Sequence, residues 1–260
     1  MLRPRVIPCL LVKDKGLVKT VGFKDPKYVG DPINAVRIFN EKEVDELMVV
    51  EIDATSNGRE PDYALIENLA SECRMPLCYG GGIRTAAQVE RIIALGVEKV
   101  ALSSALFENP DVVREAGSQV GGQSIVAVLD VRKTKSGYEV FTHNGSKPTG
   151  QDPVAMVRKL EQMGAGEIVL NSIDKDGHMK GYDLDLIAQV RAATGLPFTC
   201  LGGAGSLEHM SQLVERYGAI GVAAGSLFVF KGVFRAVLIN YPNKPAKESI
   251  FKAGRAGTGG

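Results

Sequence analysis

The stretch "YGGGIRTAAQVERIIALGVEKVALSSALF" (79–107) aligns without a gap with "LGGAGSLEHMSQLVERYGAIGVAAGSLFV" (201–229). The alignment pairs Gly80 with Gly202, Gly96 with Gly218 and Ser104 with Ser226. Each copy reads as a strand ending in glycines, an amphipathic helix, a second strand and a Ser-containing turn. Upstream, "DELMVVEID" (45–53) matches "GEIVLNSID" (166–174), which pairs Glu46 with Glu167. At the start, "VIPCLLVKDK" (6–15) has the rhythm of "IVAVLDVRKT" (125–134). Self-similarity at a nearly fixed offset is the mark of a duplicated unit, here two halves of four strand–helix pairs.

Working outward, short runs rich in Val, Ile and Leu predict strands near 5–12, 46–52, 76–80, 98–102, 124–130, 166–172, 197–201 and 220–224. The runs are continuous rather than alternating, as parallel strands buried on both faces require. Helical spacing falls between them, near 32–43, 61–73, 85–95, 109–118, 152–163, 183–194 and 206–217, with an eighth near 231–239. Asp31-Pro32, Asn109-Pro110 and Asp152-Pro153 each place an acceptor before a first-turn proline. Eight such pairs predict an α/β fold: a single (β/α)8 TIM barrel over 1–240, built from two repeated half-barrels. A doubly wound open sheet would need fewer units or a second domain. Residues 241–260 turn polar and Gly-rich and read as a tail with a disordered end.

Composition narrows the function classes. A net charge near +1 gives no electrostatic case for nucleic acid or membrane binding. No apolar run is long enough to span a bilayer, and the chain enters its first strand without a signal-peptide pattern. Cys9, Cys73, Cys78 and Cys200 lack metal-ligand spacing and read as buried thiols in a reducing, cytoplasmic setting. The three histidines also lack such spacing and read as loop or surface residues; neither a metal nor a cofactor is expected.

Barrel sites form at the C-terminal strand ends. Gly81 and Gly82 follow strand three, Ser103 and Ser104 strand four, Gly202 and Gly203 strand seven, and Gly225 and Ser226 strand eight. Glycines let backbone N–H groups approach an anion, and a following helix start adds positive potential. Two such sets suit a substrate phosphorylated at both ends, although a glycine run also serves simply as a tight turn. Asp130 ends an otherwise apolar strand, and Asp176 lies in the loop after strand six; either suits a general acid or base. Asp176 and Asp174 equally suit turn-capping in an Asp-Gly loop. The first loop (13–30) carries five lysines, Lys19 among them, and suits a lid over an anionic substrate. At the opposite strand ends Arg5, Glu46, Lys99 and Glu167 can form a self-neutralising ring or remain solvated surface charges.

Taken together, "IPCL", "GDP", "GGGIR", "GAGEI", "SIDKDG", "GYD" and "LGGAG" make residues 1 to about 235 resemble the cyclase subunit of imidazole glycerol phosphate synthase. The resemblance implies a glutaminase subunit docked at the N-terminal face of the barrel. It implies ammonia passing through the barrel to a phosphorylated small molecule at the mouth, where two aspartates act. By position it makes Arg5, Glu46, Lys99 and Glu167 the ammonia gate, Gly82, Ser104, Gly203 and Ser226 phosphate contacts, and Asp130 one catalytic aspartate. The second aspartate falls at Leu11: the family reads "IPCLDV" and this chain "IPCLLV". Smaller departures are Glu51, Ala101 and Ser103. A leucine exchanges no proton, and removing a positioned acid or base costs ~10²–10⁴-fold.

The chain is most similar to divergent second copies of this subunit found among surface-polysaccharide genes. That likeness implies ammonia supply to a third, ATP-using component at the C-terminal face, which makes an acetamidino sugar. Two alternatives stand beside this reading: a true cyclase in histidine biosynthesis with Asp14 or Glu51 as the second acid, and a non-catalytic barrel that only activates a glutaminase. A sugar-phosphate isomerase would also use the glycines, but would leave the gate charges without a task.

Overall fold

Eight parallel strands close into a cylinder in the computed structural model, which describes residues 3–256, with side chains to residue 252. In chain order they are β1 (Arg5–Lys13), β2 (Leu47–Glu51), β3 (Leu77–Gly80), β4 (Lys99–Leu102), β5 (Ile125–Thr134), β6 (Glu167–Ser172), β7 (Phe198–Leu201) and β8 (Gly221–Ala224). Each pairs in parallel with the next, and β8 pairs back onto β1, with Arg5 opposite Gly221 and Pro8 opposite Ala224. Helices α1 (Pro32–Glu41), α2 (Tyr63–Glu72), α3 (Ala86–Ala94), α4 (Val112–Val120), α5 (Pro153–Gln162), α6 (Leu184–Arg191) and α7 (Leu207–Tyr217) intervene. The expected (β/α)8 barrel is therefore the fold.

Strand alternation divides the apolar residues into two cores. On β1, Val6, Leu10 and Val12 face the helices, while Ile7 and Cys9 face the barrel axis with Met48, Cys78, Val126, Val169 and Ala223. Burial on both faces explains why the strands carry no polar alternation. Helix starts follow the sequence where a cap exists: Asp31 accepts from Asn34 N at 2.8 Å and Asp152 from Ala155 N at 2.8 Å, each before a proline. Asn109 behaves differently. It closes a one-turn helix (Ala105–Glu108), its amide donates to Arg84 O at 3.2 Å, and α4 begins only at Val112.

Three segments depart from expectation. The first loop is an antiparallel hairpin, Gly16–Val21 with Lys24–Gly30, that extends β1 past the barrel rim. β5 likewise runs on into a hairpin with Gly137–Thr142. No helix forms over 231–239. A one-turn helix (Ser226–Val229) is followed by a two-stranded hairpin of Phe230–Lys231 and Ala236–Val237, and the eighth helix, α8, spans Lys244–Ala256. The reason is in the side chains: Phe230 tucks in while Val233 and Phe234, which a helix would place on the same face as Phe230, point outward, and among the described side chains of α8 Ile250 is the buried anchor. Helix α8 lies inside the stretch set apart as a tail; 257–260 are outside the described residues.

Candidate functional site

The two ends of the barrel carry different chemistry. At the N-terminal ends, Arg5, Glu46, Lys99 and Glu167 meet in one cluster. Arg5 donates to Glu46 through Nη1 and to Glu167 Oε1 through Nη2 at 2.7 Å. Lys99 Nζ lies 3.0 Å from Glu46 Oε1 and 2.8 Å from Glu167 Oε2. Thr199 Oγ1 adds a bond to Glu167 Oε1 at 2.6 Å. Both carboxylates are nearly inaccessible, with side-chain exposures of 7% and 5%. Burial alone would push the Glu167 carboxyl up, but Arg5 and Lys99 outweigh it and hold it at about 2. The same carboxylates raise the Arg5 and Lys99 values against their own desolvation. This is a closed ring of two cations and two anions in which no buried charge lacks a partner. The bland alternative of solvated surface charges does not describe it.

Above the ring the axis is apolar up to the mouth, where a cavity opens. Leu11, Asp130, Asp176, Gly81, Gly82, Ser103, Ser104 and Gly225 all line it. Asp130 sits on the rising end of β5. It accepts from Asn171 Nδ2 at 2.8 Å and Ser103 Oγ at 3.3 Å. Burial pushes its carboxyl up to about 6, against the lowering effect of these two donors. Such a group changes charge close to neutrality, which suits proton transfer. Leu11 lines the same cavity from β1 and offers only methyl groups.

Asp176 does more than cap a turn. It is buried, accepts from Thr20 Oγ1 at 2.9 Å, and has Lys19 Nζ 3.9 Å from Oδ1. Through these contacts the first hairpin is tied to the loop after β6, and Lys19 is drawn in beside Gly225. Asp174 keeps a structural role, accepting from Lys133 N at 2.8 Å. Asp14 is exposed on the hairpin turn, whereas Glu51 is buried against the cavity, its carboxyl raised by desolvation although Arg59 lies 3.3 Å away.

Of the paired anion places, Gly81, Gly82, Ser103 and Ser104 line the cavity, as does Gly225; Gly202, Gly203 and Ser226 lie outside its lining. Gly81 (φ +119°) and Gly203 (φ +107°) need the left-handed region, and a Cβ there would fall 2.3 Å from Glu51 O and 2.1 Å from Gly181 O. Ser103 is engaged by Asp130 rather than free. His143, read as a loop or helix-surface residue, does lie in a turn, but one that lines the cavity: its backbone N–H donates to Ser104 Oγ at 3.4 Å and its ring lies 3.3 Å from Glu108. The second hairpin carries it there, and nothing in the local sequence signals that reach. Asn171, one residue before the end of β6, was equally unsignalled. Among the described residues no group of three or more His, Cys, Asp or Glu could hold a metal ion, and no helix is long and apolar enough to cross a membrane.

The histidine biosynthesis protein family model matches residues 5–235. A Vibrio vulnificus protein, provisionally named imidazole glycerol phosphate synthase subunit hisF3, is 58% identical over 97% of this chain and 98% of its own length. A HisF subunit so named in Leptospira borgpetersenii is 54% identical over 96% of this chain and all of its own. The hisF2 subunit of Pseudomonas aeruginosa is 52% identical over 94% and 97%. With the barrel and these matches together, the chain belongs to the histidine-biosynthesis family, among the HisF-type subunits of imidazole glycerol phosphate synthase.

Proposed function

We propose that this chain is the ammonia-channelling barrel of a glutamine amidotransferase whose mouth chemistry has changed. One observation carries the reading: the charged ring at the bottom is complete, while at the mouth Leu11 shares the cavity with Asp130. A glutaminase partner docks at the N-terminal face and releases ammonia at the ring of Arg5, Glu46, Lys99 and Glu167. The apolar interior passes the neutral molecule more readily than ammonium, because an ion would lose its hydration there. At the mouth, backbone N–H groups at Gly81, Gly82 and Gly225 and the Ser104 hydroxyl, all in the cavity lining, hold a phosphorylated molecule. With Asp130 near neutrality and Leu11 where the family resemblance places a second aspartate, the site is poor at a ring closure that needs proton removal and delivery together. The ammonia serves instead a third, ATP-using component at the C-terminal face, for acetamidino sugar synthesis in surface polysaccharide formation. The numbered names hisF3 and hisF2 of two relatives accord with a role apart from a first subunit.

A second reading, the histidine-pathway cyclase, is favoured by Glu51, a buried carboxyl lining the same cavity with a raised value. The test is ammonia-dependent formation of imidazole glycerol phosphate by wild type and Leu11→Asp side by side. The proposal expects wild type to be silent and Leu11→Asp to gain ~10²-fold or more above background. Family-like turnover by wild type would overturn it and establish the second reading.

A further inference from the structure

The bottom ring is held by a device that neither its charges nor the barrel strands supply. Arg5 and Glu46 sit on β1 and just ahead of β2, and the residues flanking them, Val6 and Asp45, are bolted together. Asp45 Oδ2 accepts from Val6 N at 3.0 Å. Tyr241 Oη accepts from Asp45 N at 3.2 Å and donates to Val6 O at 2.9 Å, so one hydroxyl uses its donor and an acceptor on both sides of the seam. Lys247, from the first turn of α8, places Nζ 2.8 Å from Asp45 Oδ1 and 3.3 Å from Glu43 O. Asp45 is buried in this arrangement, with 5% of its side chain exposed. The Tyr241 ring is set by Phe228, centroid to centroid 5.5 Å, and by the Lys247 ammonium 5.4 Å from its centroid.

We infer that Tyr241, Asp45 and Lys247 form a positioning clamp through which the C-terminal segment sets the register of Arg5 against Glu46. The ring geometry requires it. Arg5 must satisfy Glu46 and Glu167 at once, and a shift of ~1 Å between the start of β1 and the approach to β2 lengthens one of these bonds beyond hydrogen-bonding range. The strands do not set that register alone, because β1 and β2 pair only from Cys9 opposite Met48 upward. Below this point Val6 and Asp45 are joined by the clamp.

The clamp also reaches the bottom surface. Lys244, Lys247, Glu248 and Phe251 of α8 wall a groove there with Arg3, and Asp45 forms part of its floor. A protein seated on this face therefore bears on α8 and, through Lys247 and Tyr241, on the ring. This consequence rests on the proposed glutaminase docking; the clamp itself does not.

The test reads the ring directly. In Tyr241→Phe the ring packing on Phe228 stays and only the hydroxyl is lost. Proton exchange of the Arg5 guanidinium, followed by NMR at neutral pH, is expected to accelerate about tenfold. Tyr182→Phe is the control: its buried hydroxyl donates to Ala223 O at 2.9 Å but lies outside the clamp, so its removal should leave Arg5 exchange unchanged. Should Tyr241→Phe fail to fold, Lys247→Met, which frees Asp45 Oδ1, reads the same quantity. Unaltered Arg5 exchange in the clamp variants, or equal acceleration in Tyr182→Phe, would overturn the inference. Because the ring's exchange is measured without ammonia or partner, this result is independent of whether ammonia passes through it.

Discussion

At the residue scale, the contrast between two carboxyls shows what surroundings do to one functional group. Glu167 is held at about 2 by two cations, and Asp130 at about 6 by an apolar wall that two neutral donors only partly offset. The pH consequence of Asp130 follows from linkage. A folded-state value above the unfolded one means the folded chain holds the proton more tightly, so stability is unimpaired below about 3.8, falls as pH rises to about 6, and stays reduced above it. Asp130→Asn removes this cost while keeping an oxygen for Asn171. Urea denaturation should show it more stable than wild type by ~1–2 kcal/mol at pH 8 and equal to it at pH 4. Asp130 itself was legible as a carboxylate closing an apolar strand. Its partners Ser103 and Asn171 come from the two neighbouring strands, and no local pattern announces which side chains a barrel will bring to one point.

Among the elements, glycines mark where backbone geometry, rather than polarity, governs the strand ends. Gly203 has φ +107° and a Cβ would sit 2.1 Å from Gly181 O, whereas Gly150, at φ +70°, has open space around it. Gly203→Ala should therefore lower stability by ~3 kcal/mol or more and Gly150→Ala by ~1 kcal/mol, as chemical denaturation of the two variants would show. The eight strands were legible because each is a continuous apolar run bounded by turn residues. The hairpins were not. Asp14 and Lys15 form a two-residue turn with both φ values positive, at 49° and 65°, and only Gly16 beyond them hinted at it. The eighth helix was misplaced because "KPAKESIFKAG" offers little apolar stripe. Its burial rests on Ile250, and its partner, α7, is met only in three dimensions.

Across the whole molecule, apolar surface is unevenly spread. Val21, Tyr28, Val233, Phe234, Val237 and Leu238 are six of the seven large apolar side chains exposed among the described residues, and all lie on or next to the first and last hairpins. Val21 and Arg235 both contact Gly177, so the two hairpins share a neighbour. Replacing Val233 and Phe234 by serine should leave the melting temperature unchanged and raise the concentration at which the protein self-associates, measured by light scattering. The seam between β1 and β8 has a further consequence, for synthesis. β1 pairs with β8, the last of the eight to be made, and Tyr241, later still in the chain, ties Val6 of β1 to Asp45 ahead of β2. On the ribosome the earlier strands must wait as an open sheet with bare edges, the state most prone to pairing with a neighbour. A stop placed just before Tyr241 would leave every strand present and the cylinder without its last fastening.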